Sequence, residues 1–115
     1  MSESFPELLA DLNRQISALR AEAPKAMQAF SGLARAALEP GALDTRTKEL
    51  LAIAIAIAVR CDGCIGFHVK AALAAGASKE EIVETIGLAI YMGAGPSMIY
   101  GAETLRALKE LAGED

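Results

Sequence analysis

The chain has 115 residues, of which 53% are apolar, and a chain of this length and composition folds as one domain around one core. Its formal net charge is −4, its lysines and arginines are scattered and it has no tryptophan, which argues against nucleic acid as a partner. The longest apolar run, Leu50 to Val59, is shorter than the roughly 20 residues that span a bilayer. The acidic N-terminus is not a secretory signal. We therefore expect a soluble, cytoplasmic protein without a membrane partner.

Two amphipathic helices are predicted at the N-terminus. The first covers about residues 5 to 21 and ends before Pro24, and its apolar face carries Leu8, Leu9, Leu12, Ile16 and Leu19. Pro24 then opens a second helix, which the sequence EPG at residues 39 to 41 stops. The predicted inner face of this second helix carries Met27, Phe30, Leu33 and Ala37.

The third segment, TRTKELLAIAIAIAVR, is predicted to be a buried helix with Asp44 as its N-cap. Its Ala-Ile alternation imitates a strand, but both alternating residues are apolar, so the pattern indicates only burial. Length decides for a helix, because a strand of about fifteen residues would be unusual.

Three more helices are predicted after this segment. The fourth runs from Cys61 to Ala75 and is closed by Gly76. Ser78 and Glu81 form a capping box for the fifth, whose predicted buried residues are Ile82, Ile86, Ala89 and Ile90. The sequence GAGP at residues 93 to 96 breaks the chain before a last helix, roughly Ser97 to Leu111, with Met98, Ala102, Leu105 and Leu108 directed inward.

The sequence therefore predicts an all-α bundle of about six helices that forms a single domain over residues 1–115. A helical domain this short and this rich in alanine, leucine and isoleucine has more apolar surface than a monomer can bury. We therefore expect a homo-oligomer.

Residues 61 to 68, CDGCIGFH, contain both cysteines and the only histidine. On a helix, Cys61 and Cys64 are neighbours, and so are Cys64 and His68, so the three side chains form one strip. A CxxC pair in such a chain favours redox or metal chemistry over a structural disulfide. The helix N-terminus and Arg60 favour a thiolate at Cys61, whereas Asp62 opposes it, and His68 is placed to take the proton of Cys64.

Glu49 is the best candidate to orient His68, since it is an acid on an otherwise apolar helix. A chain reversal at residues 60 to 62 would place Glu49 roughly 16 Å before the turn and His68 roughly 10 Å after it. A direct contact or one bridging water then becomes feasible if the two helices cross at an angle.

The order Glu49, Cys61, Cys64 and His68, which is E-x11-C-x2-C-x3-H, resembles the core of alkylhydroperoxidase D and the wider carboxymuconolactone decarboxylase-like family. The resemblance covers about Leu43 to Leu111 and includes KELLAIAIAIAVRCDGCIGFH. It implies an all-helical oligomer, commonly a trimer or hexamer, in which a CxxC pair cycles between dithiol and disulfide while it reduces hydroperoxides.

The resemblance also implies roles for the four side chains. Cys64 would attack the peroxide and become a sulfenic acid, and Cys61 would resolve it to a disulfide. His68 and Glu49 would relay protons, and an unidentified thiol or dithiol reductant would attack Cys61. This chain departs from the well-studied peroxidase in carrying Asp62 and Gly63, without a histidine, between the cysteines, and in having only two helices before the core.

Other interpretations of the four residues stay open. The cysteines could be an inert buried pair, and Glu49 could simply favour the helix dipole. The four side chains could bind zinc, but the second paired ligand motif of structural zinc sites is missing. A c-type haem is excluded because Ile65, and not histidine, follows Cys64. We therefore expect no metal or cofactor. A non-catalytic oligomeric redox sensor is the main alternative function, and a lyase of the carboxymuconolactone decarboxylase type, which does not rely on the cysteine pair, is another.

Overall fold

The computed structural model describes residues 3–113, and over that range the regular structure is entirely α-helical. The helices are α1 (Phe5–Glu22), α2 (Pro24–Leu38), α3 (Thr45–Ala58), α4 (Asp62–Ala74) and α5 (Lys79–Leu111). The predicted all-α class is confirmed, and the predicted helix starts at Pro24 and after Asp44 are correct.

Side-chain caps explain where three of the helices begin. Asp44 Oδ1 accepts a hydrogen bond from the backbone N–H of Thr47 at 2.8 Å. Hydrogen bonding with the side chain of Thr47, and then with its backbone, holds the pKa of Asp44 below its usual value. Ser78 and Glu81 form the predicted capping box at the start of α5. Ser4 and Glu7 form a second capping box before α1, which the sequence analysis did not identify.

Helix α5 reverses direction in its middle. Ala94 has φ 58° and ψ −142°, and Pro96 follows it, so the GAGP segment is the turn that the sequence predicts. The two halves of α5 then lie side by side, because a methyl group added at Gly101 would be only 2.9 Å from Ile86 Cγ2. Residues 15 positions apart in a straight helix would be separated by about 22 Å, so α5 is a helical hairpin.

The core is formed by α3, α4 and both halves of α5, with Phe5 of α1 closing one side. Its fully buried apolar residues are Phe5, Ile53, Ile57, Ile65, Val69, Ala72, Ile82 and Ala107. The predicted burial of Ile82, Ile86 and Ala89 is confirmed. After the turn only Leu108 is buried as predicted; Met98, Ala102 and Leu105 are exposed. Small residues such as Gly101 and Ala107 face inward instead, because the close approach of the two halves leaves no room for large side chains.

Helix α2 has no buried residue. Phe30 is 65% exposed and Leu33 is 64% exposed, so the predicted inner face of this helix is wrong for the single chain. The radius of gyration is 14.4 Å, compared with about 13 Å for a compact chain of this length, which agrees with a helix that projects from the bundle. Lys48 Nζ donates hydrogen bonds to the carbonyl oxygens of Ala37 and Glu39, and these bonds connect the end of α2 to α3.

By length and composition, α5 is apolar enough to cross a membrane, with a mean hydropathy of 1.4. The reversal at Ala94 divides it into two antiparallel halves that pack against each other, and each half is shorter than the roughly 20 residues of a membrane span. We therefore interpret α5 as a helical hairpin, and 22% of its apolar window is buried within the described part of the chain.

Candidate active site

The turn between α3 and α4 determines where the cysteines lie. Helix α3 ends in a Schellman motif, in which the N–H of Cys61 donates to the carbonyl of Ala56 at 3.1 Å and the N–H of Arg60 to that of Ile57 at 3.2 Å. The residue at the turn of this motif must adopt a left-handed conformation, and Arg60 does so with φ 60°. This motif is the reversal that the sequence predicts at residues 60 to 62.

Cys61 belongs to both helices, because it completes the capping motif of α3 and is also the N-cap of α4. Its Sγ accepts a hydrogen bond from the backbone N–H of Cys64 at 3.2 Å, so the sulfur takes the place of the usual N-cap oxygen. Cys61 and Cys64 are joined by a disulfide, with their Cα atoms 5.2 Å apart. Both residues are partly exposed, so the pair is not sealed in the core.

Glu49 and His68 are in direct contact across α3 and α4. Glu49 Oε1 lies 2.6 Å from His68 Nδ1, and no bridging water is needed. The predicted proximity of these two residues is therefore correct. The side chain of Glu49 is only 5% exposed, whereas that of His68 is 33% exposed. A buried carboxylate thus holds a histidine whose ring reaches the surface.

The contact with Glu49 sets the chemistry of the imidazole. An ionised carboxylate only accepts hydrogen bonds, so it holds the ring in the form that donates from Nδ1. The lone pair of Nε2 is then free to accept a proton. His68 lies one helical turn after Cys64, about 6 Å along α4, so the two side chains are on the same face.

Two glycines allow α1 to lie directly on the first turns of α4. A methyl group at Gly63 would be 2.7 Å from Leu12 Cδ1, and one at Gly66 would be 2.8 Å from Leu9 Cδ2 and 2.9 Å from Phe5 Cδ1. A side chain between the cysteines at position 63 would therefore displace Leu12. In the sequence Gly63 stands out only as the position of a missing histidine, and no local signal indicates this packing.

An apolar groove lies between α3 and the first half of α5. One of its lining residues is three positions before Cys61 in the sequence. Its cavity has a volume of about 230 Å³ and ends at Ala58, the last residue of α3 before the turn that carries Cys61. The residues that line it are Ala54, Ile55, Ala58, Leu88, Ala89, Met92 and Gly93. Ile55, Leu88 and Met92 are exposed, so a largely apolar surface adjoins the turn.

Between residues 3 and 113, no group of three or more histidine, cysteine, aspartate and glutamate side chains is arranged to hold a metal ion. The two sulfurs are bonded to each other, and Glu49 and His68 form a separate pair. The described geometry is therefore that of a disulfide beside a carboxylate–imidazole pair.

Comparisons with known proteins identify the family to which the chain is similar. The sequence profile of the carboxymuconolactone decarboxylase family matches residues 24–107. An uncharacterised protein of Cupriavidus necator is 38% identical over 105 residues, which cover 91% of this chain and 93% of that protein. An uncharacterised protein from the cox locus of Paracoccus denitrificans is 41% identical over 85 residues, covering 74% of this chain and 77% of that protein.

Two solved structures have the same fold. A carboxymuconolactone decarboxylase family protein from Legionella pneumophila superposes with a TM-score of 0.91 and 47% identity, covering 94% of this chain and 96% of that one. A family member from Thermotoga maritima, described as having a possible part in the antioxidative response, superposes with a TM-score of 0.82 and 28% identity over 91% of this chain and 90% of that one.

Proposed function

Because the chain belongs to the carboxymuconolactone decarboxylase family and carries a CxxC disulfide beside a Glu–His pair, we propose that it is a thiol-dependent alkyl hydroperoxide reductase or a closely related disulfide oxidoreductase. The observation that carries the proposal is the direct bond between the buried Glu49 and His68, one helical turn from Cys64. A carboxylate is costly to bury, and an inert cysteine pair would gain nothing from it.

The reaction begins with the reduced pair. His68 Nε2 takes the proton of the Cys64 thiol, and the thiolate attacks the distal oxygen of ROOH. The O–O bond breaks, Cys64 becomes a sulfenic acid, and the alkoxide leaves as ROH with the proton that His68 held. Glu49 keeps the ring oriented and stabilises it while it is protonated.

The Cys61 thiol then attacks the sulfur of the Cys64 sulfenic acid, which forms the disulfide and releases water. Two equivalents of an external thiol return the pair to the dithiol by exchange at Cys61. If the external thiol is written R′SH, the sum of the steps is that ROOH and two R′SH give ROH, R′SSR′ and water. The antioxidative role suggested for the Thermotoga maritima relative supports this direction of chemistry.

The test is the addition of cumene hydroperoxide to reduced protein, followed by titration of free thiols. We expect the loss of two thiols per chain. Cys64→Ser should abolish peroxide consumption, whereas Cys61→Ser should allow one oxidation and leave a sulfenic acid that a dimedone-type reagent traps. Unchanged thiol content in the wild type would contradict the proposal.

We further propose that the protein works as a cytoplasmic homo-oligomer, a trimer or hexamer. The exposed apolar residues of α2 support self-association, because a helix of 15 residues without a buried side chain is marginal in water. Phe30 and Leu33 are 65% and 64% exposed and lie three positions apart on one helix face, so they form a contiguous apolar surface that a second copy could cover. Light scattering that gives the mass of a single chain would contradict this part of the proposal.

The alternative function is a redox sensor without rapid peroxide turnover. It is favoured by the exposed Val59, which lies two residues before Cys61, so a change at the disulfide would directly affect an apolar surface. A sensor would react slowly with peroxide but change its oligomeric mass on oxidation. Rapid oxidation by peroxide without a change in mass would exclude it.

A further inference from the structure

Arg60 adopts a backbone conformation that glycine enters freely and other residues enter only at a cost. The same capping motif ends α4, where the N–H of Gly76 donates to Leu73 and the N–H of Ala77 to Ala72, and there the left-handed residue is Gly76 with φ 95°. The chain thus has glycine at one turn and arginine at the equivalent position of the turn that leads into Cys61.

The side chain of Arg60 provides no structural compensation for this strain. It is exposed, and within residues 3–113 it makes no hydrogen bond or ion pair. The other arginines near the core are different: Arg46 binds Glu81 at 2.6 Å, and Arg106 binds Glu103 and Glu110. A strained, exposed residue without partners beside a reactive group is a candidate for a functional role.

Two sources of positive potential adjoin Cys61 along the chain. One is the N-terminus of α4, where the N–H of Cys64 points at the sulfur at 3.2 Å. The other is the guanidinium of the preceding residue, Arg60. Asp62 is exposed on the following residue and partly offsets this charge, but it lies in the first turn of α4, where the helix dipole counteracts it.

We propose that Arg60 is a positioning residue that attracts an anionic thiol reductant to Cys61 and stabilises the negative charge that forms on its sulfur. This inference rests on the proposed function, since it requires that the Cys61–Cys64 disulfide be reduced in turnover. It assigns the reductant to a chemical class, small or protein thiols with negative charge close to the sulfur.

The exchange proceeds in two steps. The thiolate RS⁻ attacks Cys61 Sγ, the bond between Cys61 and Cys64 breaks, and Cys64 leaves as a thiolate. A second RS⁻ attacks the reductant-derived sulfur of the mixed disulfide between Cys61 and R. RSSR forms, and Cys61 leaves as a thiolate beside Arg60. Two electrons pass from two thiols to the protein disulfide, and the two protein thiolates take up the protons that the two RSH released.

The experiment compares the reduction of oxidised protein by glutathione, which carries net negative charge, and by cysteamine, which is cationic. Rates are measured by rapid alkylation and mass spectrometry. Arg60→Gln keeps the Cβ and the backbone strain but removes the charge, and Arg60→Lys keeps the charge. Far-ultraviolet circular dichroism checks that each variant retains its helices.

For Arg60→Gln we expect the glutathione rate to fall about fivefold, the order of magnitude for the loss of one solvent-exposed unit charge near the point of attack, with no fall for cysteamine. Arg60→Lys should restore most of the glutathione rate. Added salt should slow glutathione with the wild type more than with Arg60→Gln.

An unchanged glutathione rate in Arg60→Gln, or an equal fall with both thiols, would overturn the role of Arg60. The assay uses no peroxide, so the two proposals can fail separately. Normal charge-dependent exchange without peroxide oxidation would refute only the peroxidase proposal, whereas a wild-type disulfide that neither thiol reduces would refute both.

Discussion

Substitutions at the two equivalent turn positions, Arg60→Gly and Gly76→Ala, measure the strain in the turn that carries Cys61. Both positions are the left-handed residue of a Schellman motif with the same pair of backbone hydrogen bonds. Neither substitution changes packing, because Arg60 is exposed and a methyl group at Gly76 would have no heavy atom within 4 Å. The change in stability therefore reports backbone conformation almost alone.

The magnitude follows from two opposing terms. For a residue with a Cβ, the left-handed conformation costs about 1–2 kcal/mol of conformational free energy. Glycine in turn loses about 0.5–1 kcal/mol more backbone entropy on folding. The difference predicts that Arg60→Gly raises the free energy of unfolding by about 0.5–1 kcal/mol and that Gly76→Ala lowers it by a similar amount.

The assay is urea unfolding of the oxidised proteins at one protein concentration, with the denaturant slope unchanged. Arg60→Ala is the control, since it keeps a Cβ and should remain close to the wild type. The two turns are independent, so the double variant with glycine at 60 and alanine at 76 should return near to wild-type stability. If Arg60→Gly is no more stable than Arg60→Ala, the argument that arginine is strained there is wrong.

Three further predictions concern the site and the helix contacts. Glu49→Gln keeps the volume but removes the charge, and we expect the rate of thiol oxidation by cumene hydroperoxide to fall by about 10–100-fold with the fold intact by circular dichroism; an unchanged rate would remove Glu49 from the mechanism. Ala94→Gly should raise the free energy of unfolding by about 1 kcal/mol, because φ 58° and ψ −142° suit glycine; an unaltered urea midpoint would argue against strain at this turn. Gly66→Ala should destabilise by about 1 kcal/mol through contact with Leu9, whereas Gly87→Ala, in open space, should stabilise by up to about 1 kcal/mol; equal urea midpoints for these two variants would refute the packing argument.

The fold class and the relation of Glu49 to His68 could be predicted because both depend on local signals. Asp44 and Ser78 mark helix starts by hydrogen bonds to residues three positions later. The rise per residue of a helix fixes two distances, one from Glu49 to the turn and one from the turn to His68. Once the reversal at residues 60 to 62 is assumed, the two side chains come within reach of each other if the helices cross at an angle.

The second half of α5 and the environment of α2 could not be predicted in the same way. The periodicity of the sequence predicts an inner face that includes large apolar residues such as Met98 and Leu105, but the hairpin brings Ile86 against Gly101. Close packing of two helices selects small residues, and that requirement arises only from the tertiary contact. The apolar stripe of α2 is real, but within residues 3–113 no other element covers Phe30 and Leu33.

Glu49 and Arg60 are both poor choices for stability alone. A buried carboxylate–imidazole pair can often be replaced by apolar side chains without loss of stability, and a left-handed residue at a helix end is better served by glycine. Both residues lie on α3 or its cap, one contacting His68 and the other adjoining Cys61. Local rules are broken most often where a site requires it, so two such departures that converge on one CxxC pair favour a working redox centre over a structural disulfide. Ala94 is a third departure, but it lies at the α5 turn, and nothing in the structure explains why it is not glycine.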